Sequence, residues 1–275
     1  MRHSAEHTYQ LLVAGIRRFF EDAGATRAVL GLSGGIDSAV VLSLSVDALG
    51  RERVHGLMMP SPFSTVHSVT DAVKHAEHEE VSYHILPIDA IYHKFLKELA
   101  PAFGNAPLDP TEENLQARIR GALLMAYANK KDCLLLNTTN KSELAMGYGT
   151  LYGDLSGALM VLADLYKTDV YELAFYLNSE RPRIPISIIR KEPSAELRDN
   201  QKDSDSLPPY NILDPVLYAL IEEKQSPQAI IAKGAPKEVV EQAVYAMNAF
   251  AFKKIQLPPL LKVSETPLLS PEKWR

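Results

Sequence analysis

The 275 residues include one cysteine and one tryptophan, and no apolar run approaches the roughly 18–20 residues of a membrane span. A single cysteine excludes a disulfide framework within the chain and suits a reducing compartment. Cys133, in the run Cys133-Leu134-Leu135-Leu136, is expected to be a small buried strand residue. Charge of one sign is not in excess either. With 29 Lys and Arg against 34 Asp and Glu, the net charge of −5 offers no bulk attraction for nucleic acid. The N-terminus, Met1-Arg2-His3-Ser4-Ala5-Glu6-His7, lacks the apolar core of a signal peptide. These absences lead to the expectation of a soluble cytoplasmic protein that meets neither membrane nor nucleic acid. The remaining composition, 46% hydrophobic and 23% charged, is enough for one large domain or one domain with a small appendage.

Apolar spacing then orders the chain. Leu11, Leu12, Ile16, Phe19 and Phe20 repeat as one helix face, stopping near Gly24. Ala28–Leu32 reads as a strand, Asp37–Leu49 as a helix capped by Gly50, and Val54–Met59 as a second strand. Thr70–Glu80 reads as a helix and Val81–Ile88 as a third strand. Thr111 is the expected cap of a helix beginning at Glu112, and Asp132–Asn137 is the fourth strand. Alternating strand and helix with long connections predicts an α/β fold, a doubly wound parallel Rossmann-like sheet, with ligands beyond the carboxyl ends of its strands. The second half reads as helical. Thr168, Asp214 and Ser226 are expected caps and Pro236 a helix start, with a long polar loop over Glu196–Pro209. The expected organisation is a single domain over 1–275, with an α/β core over about 10–180 and a helical part over about 181–275.

The most telling stretch is Gly31-Leu32-Ser33-Gly34-Gly35-Ile36-Asp37-Ser38, between the first strand and its helix. Such a turn presents backbone N–H groups and a helix N-terminus to an anion. It lacks the lysine of a GxxxxGK[ST] loop and the spacing of GxGxxG. Phosphate would therefore rest on backbone N–H groups and the hydroxyls of Ser33 and Ser38. Asp37 would repel phosphate without a cation between them, and nucleotide-borne Mg²⁺ is the natural bridge. The bland alternative is an unoccupied strand–helix turn in which Asp37 merely caps the helix.

Ser33–Ser38 resembles the SGGxDS signature of the ATP pyrophosphatase superfamily. Its members cleave ATP between the α- and β-phosphates, adenylate an oxygen and let a nitrogen or sulfur nucleophile displace AMP. GMP synthetases, asparagine synthetases, tRNA thiolases and NAD synthetases all carry versions of it. Five further segments resemble the NAD synthetases: Glu113–Arg120 their ENxQAR helix, Asn137–Asp154 their NTTNKSELAxGYxTxYGD block, Lys191–Arg198 and Asp205–Tyr210 their PSAEL and DSLPPY elements, and Lys253–Pro259 their KRxxxPP segment. The resemblance covers about 10–265. It is nearer the synthetase portion of the glutamine-dependent enzymes than the short ammonia-only ones, which carry a GTDHAAE-like block. Only about 30 residues precede the turn, so no amidase domain is expected, and the nitrogen would come as free ammonia or from a separate glutaminase partner.

The resemblance implies amidation of nicotinate adenine dinucleotide to NAD, with ATP and Mg²⁺, through an acyl-adenylate. It implies that Gly31–Ser38, Thr138, Lys167 and Ser194 bind ATP and that Asp37 and Glu143 hold Mg²⁺. It also implies that Asn114, Arg118, Glu143 and Lys253 contact the dinucleotide, and that the protein is a homodimer. Asp37 and Lys167 would act in phosphoryl transfer, and Asp154 is the candidate general base for ammonium. Each has a plainer reading: a helix cap for Thr138, a first-turn glutamate for Glu143, a surface ion pair for Arg118. The alternatives in function are another adenylating enzyme such as a tRNA thiolase, against which stand the single cysteine and absent basic surplus, and a non-catalytic nucleotide-binding module.

Overall fold

The computed structural model describes residues 4–104 and 106–269. The ends of the expected 1–275 domain thus lie outside the described residues. Five parallel strands form the sheet in the order β3-β2-β1-β4-β5. They are β1 (Ala28–Gly31), β2 (Val54–Met58), β3 (Ser82–Ile85), β4 (Leu134–Asn137) and β5 (Leu159–Met160). The order reverses direction beside β1, so the crevice that a doubly wound sheet offers to ligands opens between the carboxyl ends of β1 and β4. Gly31 pairs with Leu57 across β1 and β2, which brings the glycine turn level with the end of β2.

The helices are α1 (Ala5–Asp22), α2 (Ile36–Leu49), α3 (Val66–His78), α4 (Asp89–Phe103), α5 (Pro110–Lys131) and α6 (Lys141–Met146). They continue with α7 (Lys167–Leu177), α8 (Ile186–Arg190), α9 (Tyr210–Ile221), α10 (Pro227–Ala232) and α11 (Lys237–Ala249). Alternate strand residues face opposite layers, as a two-residue side-chain period demands. Ala28, Leu30, Met58 and Leu136 pack with α1, α2 and α7, while Val29, Leu57 and Leu135 pack with α4 and α5. A separate core joins α6 to α9, α10 and α11.

The doubly wound parallel sheet agrees with expectation, and its details differ. The two-residue β5 is too short to read from pattern, and α4 follows a strand that ends at Ile85 rather than Ile88. Cys133 is half-buried just before β4, with its Sγ 3.5 Å from the Lys131 carbonyl oxygen, rather than buried within the strand. Asp109, not Thr111, caps α5, with Pro110 opening the helix and Glu112 completing a capping box. Tyr166, not Thr168, precedes α7. Asp214 lies inside α9 and accepts hydrogen bonds from Ser142 Oγ at 2.6 Å and the Thr168 backbone N–H at 2.8 Å. It thus serves the first turn of α7 rather than its own helix. Ser226 and Pro236 do precede helices, as expected.

Candidate active site

A cavity of about 740 Å³ opens over the carboxyl ends of β1, β2 and β4. Its floor is the turn after β1. Gly31, Leu32, Ser33, Gly35, Ile36, Asp37 and Ser38 line it, whereas Gly34 lies beneath. Gly34 has φ +75°, and a Cβ there would fall 2.2 Å from the Ser68 carbonyl oxygen, so the turn is seated directly on the start of α3. The turn also holds itself: Ser38 Oγ donates to the Gly35 carbonyl at 3.0 Å, and the Gly35 N–H donates to Ser33 Oγ at 3.2 Å.

Asp37, Glu143 and Lys167 converge above this turn from three elements. Lys167 Nζ lies 2.5 Å from Asp37 Oδ2 and 3.5 Å from Glu143 Oε1, with its side chain only 3% exposed. Asn140 completes the link. Its Nδ2 donates to Asp37 Oδ1 at 3.0 Å, its Oδ1 accepts the Glu143 N–H at 3.0 Å, and its own N–H donates to Glu143 Oε2 at 3.2 Å. One fully buried asparagine therefore caps α6 and fixes both carboxylates. Burial works against the ammonium of Lys167, but Asp37 and Glu143 outweigh it and hold the group well above its ordinary pKa. The Glu143 carboxyl is pushed up to about 8 by burial and by the charge of Asp37, against the pull of Lys167.

Among the described residues no three His, Cys, Asp or Glu side chains gather as a metal site. Asp37 and Glu143 nonetheless meet at one cation, which is the donor set Mg²⁺ uses when substrate phosphates supply its other ligands. The residues fit a nucleotide-borne Mg²⁺ and do not form an all-protein cage.

Other expected residues divide. Thr138, Ser194, Asn114, Asp154 and Lys253 line the cavity, and Arg118 does not. Asn114 Oδ1 accepts from Thr150 Oγ1 at 2.6 Å, Ser194 Oγ donates to the Gln201 carbonyl, and Lys253 Nζ donates to the carbonyls of Gly147 and Gly149 at 2.8 and 2.7 Å. Asp154 keeps an exposed face at the cavity and accepts the Thr150 N–H at 2.8 Å, and partial loss of water around its carboxyl pushes that group up. Arg118 is exposed, with Nε 3.3 Å from the Leu151 carbonyl oxygen. The α5 stripe on the cavity is Glu113, Asn114, Ala117, Arg120, Gly121 and Leu124. At about 100° per residue this stripe turns Arg118 outward although it lies four residues from Asn114.

The polar loop supplies residues that motif reading missed. It carries a short 3₁₀ turn at Asp203–Asp205 and forms a wall of the cavity. Asp203 accepts hydrogen bonds from Tyr210 at 2.9 Å and Tyr148 at 3.4 Å, and burial raises its carboxyl against the field of Lys167. Glu196 ties the loop to α3 through Thr65 and Ser68 and pairs with Lys191 at 2.7 Å. No periodicity marks the contacts of Asp203 with Tyr148 and of Glu196 with Thr65 and Ser68, since each pairs a loop residue with a distant element. The Asp-Ser-Asp run within a helical half was the available hint for Asp203.

The family model described as NAD synthase matches residues 8–258. A glutamine-dependent NAD(+) synthetase of Synechocystis sp. is 48% identical over 94% of this chain, which corresponds to 47% of that protein. The chain spans about half the length of the curated relatives it matches. Among solved structures, an NH3-dependent NAD synthetase of Campylobacter jejuni superposes with TM-score 0.76 at 30% identity, covering 94% of this chain and 100% of that one. An NMN synthetase of Francisella tularensis superposes with TM-score 0.79 at 29% identity, covering 96% and 99%. The glycine turn, the carboxylates gathered on Lys167 and these matches lead to one conclusion: the chain belongs to the NAD synthase family.

Proposed function

We propose that this chain joins ammonia to the carboxylate of nicotinate adenine dinucleotide at the expense of ATP, giving NAD, AMP and pyrophosphate. The observation that carries this reading is the buried Asp37–Lys167–Glu143 cluster, held by Asn140 directly above a phosphate-binding turn. In the first step an oxygen of the acceptor carboxylate attacks the α-phosphorus. The bond from that phosphorus to the bridging oxygen of the β-phosphate breaks, and pyrophosphate leaves with the electron pair. Backbone N–H groups of Gly35–Ser38 hold the phosphates, and Lys167 offers positive charge to the phosphoryl group in transit. Nucleotide-borne Mg²⁺, held by Asp37 and Glu143, supplies further neutralisation of phosphate charge when bound. In the second step ammonia attacks the acyl carbon, the bond to the AMP oxygen breaks, and the nitrogen sheds a proton. Asp154 is our candidate acceptor of that proton, because it lines the cavity and partial desolvation there makes its carboxylate more basic than an ordinary one.

Ammonia is the nitrogen donor in this reading. Cys133 is half-buried and does not line the cavity. A separate glutaminase partner as ammonia source, a homodimer that completes the dinucleotide site, and a cytoplasmic location belong to the same proposal. No helix among the described residues is long and apolar enough to cross a membrane. The test is product analysis with ATP, Mg²⁺, ammonium and nicotinate adenine dinucleotide. NAD, AMP and pyrophosphate are expected in equal amounts, and absence of NAD and AMP refutes the reading. The fold shared with the Francisella NMN synthetase makes the mononucleotide acid the competitor to include; a higher kcat/KM for it would reassign the acceptor.

A further inference from the structure

Lys167 reaches the cavity on a flexible four-carbon stem, and a point charge on such a stem stays aimed only where its end is held. Asp37 and Glu143 hold the ammonium at 2.5 and 3.5 Å. The same two carboxylates are the pair that the proposed function gives to nucleotide-borne Mg²⁺, so metal and ammonium draw on the same oxygens. A further contact supplies no oxygen at all. Lys167 Nζ lies over the ring of Tyr210, 5.4 Å from its centroid. That is within the roughly 6 Å reach of a cation–π contact, and such contacts strengthen when the cation is desolvated. The lysine side chain is only 3% exposed.

The ring is itself fixed. Tyr210 opens α9 directly after Pro208-Pro209, and its hydroxyl donates to Asp203 Oδ2 at 2.9 Å. Asp203 is buried, and Tyr148 donates to its other carboxylate oxygen at 3.4 Å. The backbone of Asp203 is tied on both sides. Its N–H donates to the Pro193 carbonyl at 3.0 Å, and its own carbonyl accepts the Leu207 N–H at 2.8 Å. Lys167 and Asp203 line the cavity, and Tyr210 does not. The ring therefore backs the lysine rather than facing a substrate.

We infer that Tyr210, tethered by Asp203, is a positioning residue that keeps the Lys167 ammonium aimed at the phosphoryl group in transit while Asp37 and Glu143 engage the metal. This rests on the amidation reading given above. An ammonium that matters most in the transition state must be aimed there, so loss of the ring belongs in kcat rather than in KM.

Two measurements test the assignment. The first needs neither metal nor turnover: melting curves of the wild-type chain, Y210L, K167M and the double variant. A ring that acts on the ammonium makes the double variant depart from the sum of the single shifts by at least about 2 °C. Shifts that add within about 1 °C would overturn the contact. The second is steady-state NAD formation from Mg·ATP, ammonium and nicotinate adenine dinucleotide. Y210L is expected to lower kcat about tenfold, with the KM for ATP within about threefold of wild type. Y210F keeps the ring and is expected to stay within about threefold in kcat, with D203A, which frees the ring, between the two. A Y210F as slow as Y210L would overturn the role of the ring, and a wild-type kcat in D203A would overturn the tether. An ATP KM that rises in Y210L while kcat holds would overturn the positioning role. A wild-type chain that formed no NAD would overturn the amidation reading instead, and the melting shifts would still decide the contact.

Discussion

Lys141→Met tests how α6, which carries Glu143 at the cavity, is held in place. Lys141 follows the Asn140 cap of α6, and its side chain has no exposed surface. Its Nζ meets Asp164 Oδ1 at 2.8 Å, Glu222 Oε1 at 2.5 Å, Ser264 Oγ at 3.0 Å and the Thr266 carbonyl oxygen at 3.1 Å. Asp164 also accepts the backbone N–H groups of Val263 and Ser264, so the lysine fastens residues 263–266 against α6. Methionine fills similar volume but leaves two buried carboxylates facing each other. Removing one partner of a buried pair costs about 3–5 kcal/mol. The cheapest relief is to protonate one carboxyl, which at pH 7 costs about 3.5 kcal/mol for a group of ordinary pKa near 4.3. The two routes agree.

This sets a pH signature. Between about pH 5 and 7 the folded variant would hold one proton more than its unfolded chain, so its stability falls as pH rises, by about 1.4 kcal/mol per unit relative to wild type. The assay is urea unfolding of both proteins at pH 5, 6 and 7. We expect a deficit of about 3–4 kcal/mol at pH 7, shrinking to about 1 kcal/mol at pH 5. Glu222→Gln placed on Lys141→Met should recover much of the loss at pH 7. A deficit under about 1 kcal/mol at pH 7, or one independent of pH, would refute the reasoning.

Three further outcomes follow from particular contacts. Gly34→Ala should abolish Mg·ATP binding and lower the melting temperature, because φ is +75° and the new Cβ would meet the Ser68 carbonyl oxygen at 2.2 Å; calorimetry and a melting curve check both. Glu79 is buried, which by itself would raise its carboxyl, yet bonds from His75, Arg183 and Ser43 bring it down to about 2. Its contribution is thus complete above about pH 4.5 and lost as pH falls toward 2, so Glu79→Gln should flatten acid unfolding across that window. Asp154→Asn should lower turnover at saturating ammonium by about 10²–10⁴-fold if Asp154 accepts the ammonium proton, with ATP affinity preserved; unchanged turnover removes it from that role.

Some of the site was legible because its chemistry is local. The turn from Gly31 to Ser38 is contiguous, and its glycines, hydroxyls and aspartate already mark a tight strand–helix junction of the kind that can face an anion. Glu143 and Lys167 could be named from motifs, but only folding shows that both carboxylates share one buried ammonium. Helical phase turns Arg118 outward from the cavity and puts Arg120 on it. Asn140 reads as one polar residue among several in Asn137–Asn140, and its bond to Asp37 spans 103 positions.

The sequence alone determined the alternation of strand and helix, the parallel sheet and the glycine turn after β1, since each follows from periodicity and residue type within short windows. Tertiary structure decided the rest. It added the two-residue β5, exchanged caps so that Asp214 serves α7, and folded the polar loop into a cavity wall through Asp203 and Glu196. The physical reason is shared by all of these. A buried polar group must find a partner, and which partner it finds depends on what the sheet brings within about 3 Å, not on its neighbours along the chain.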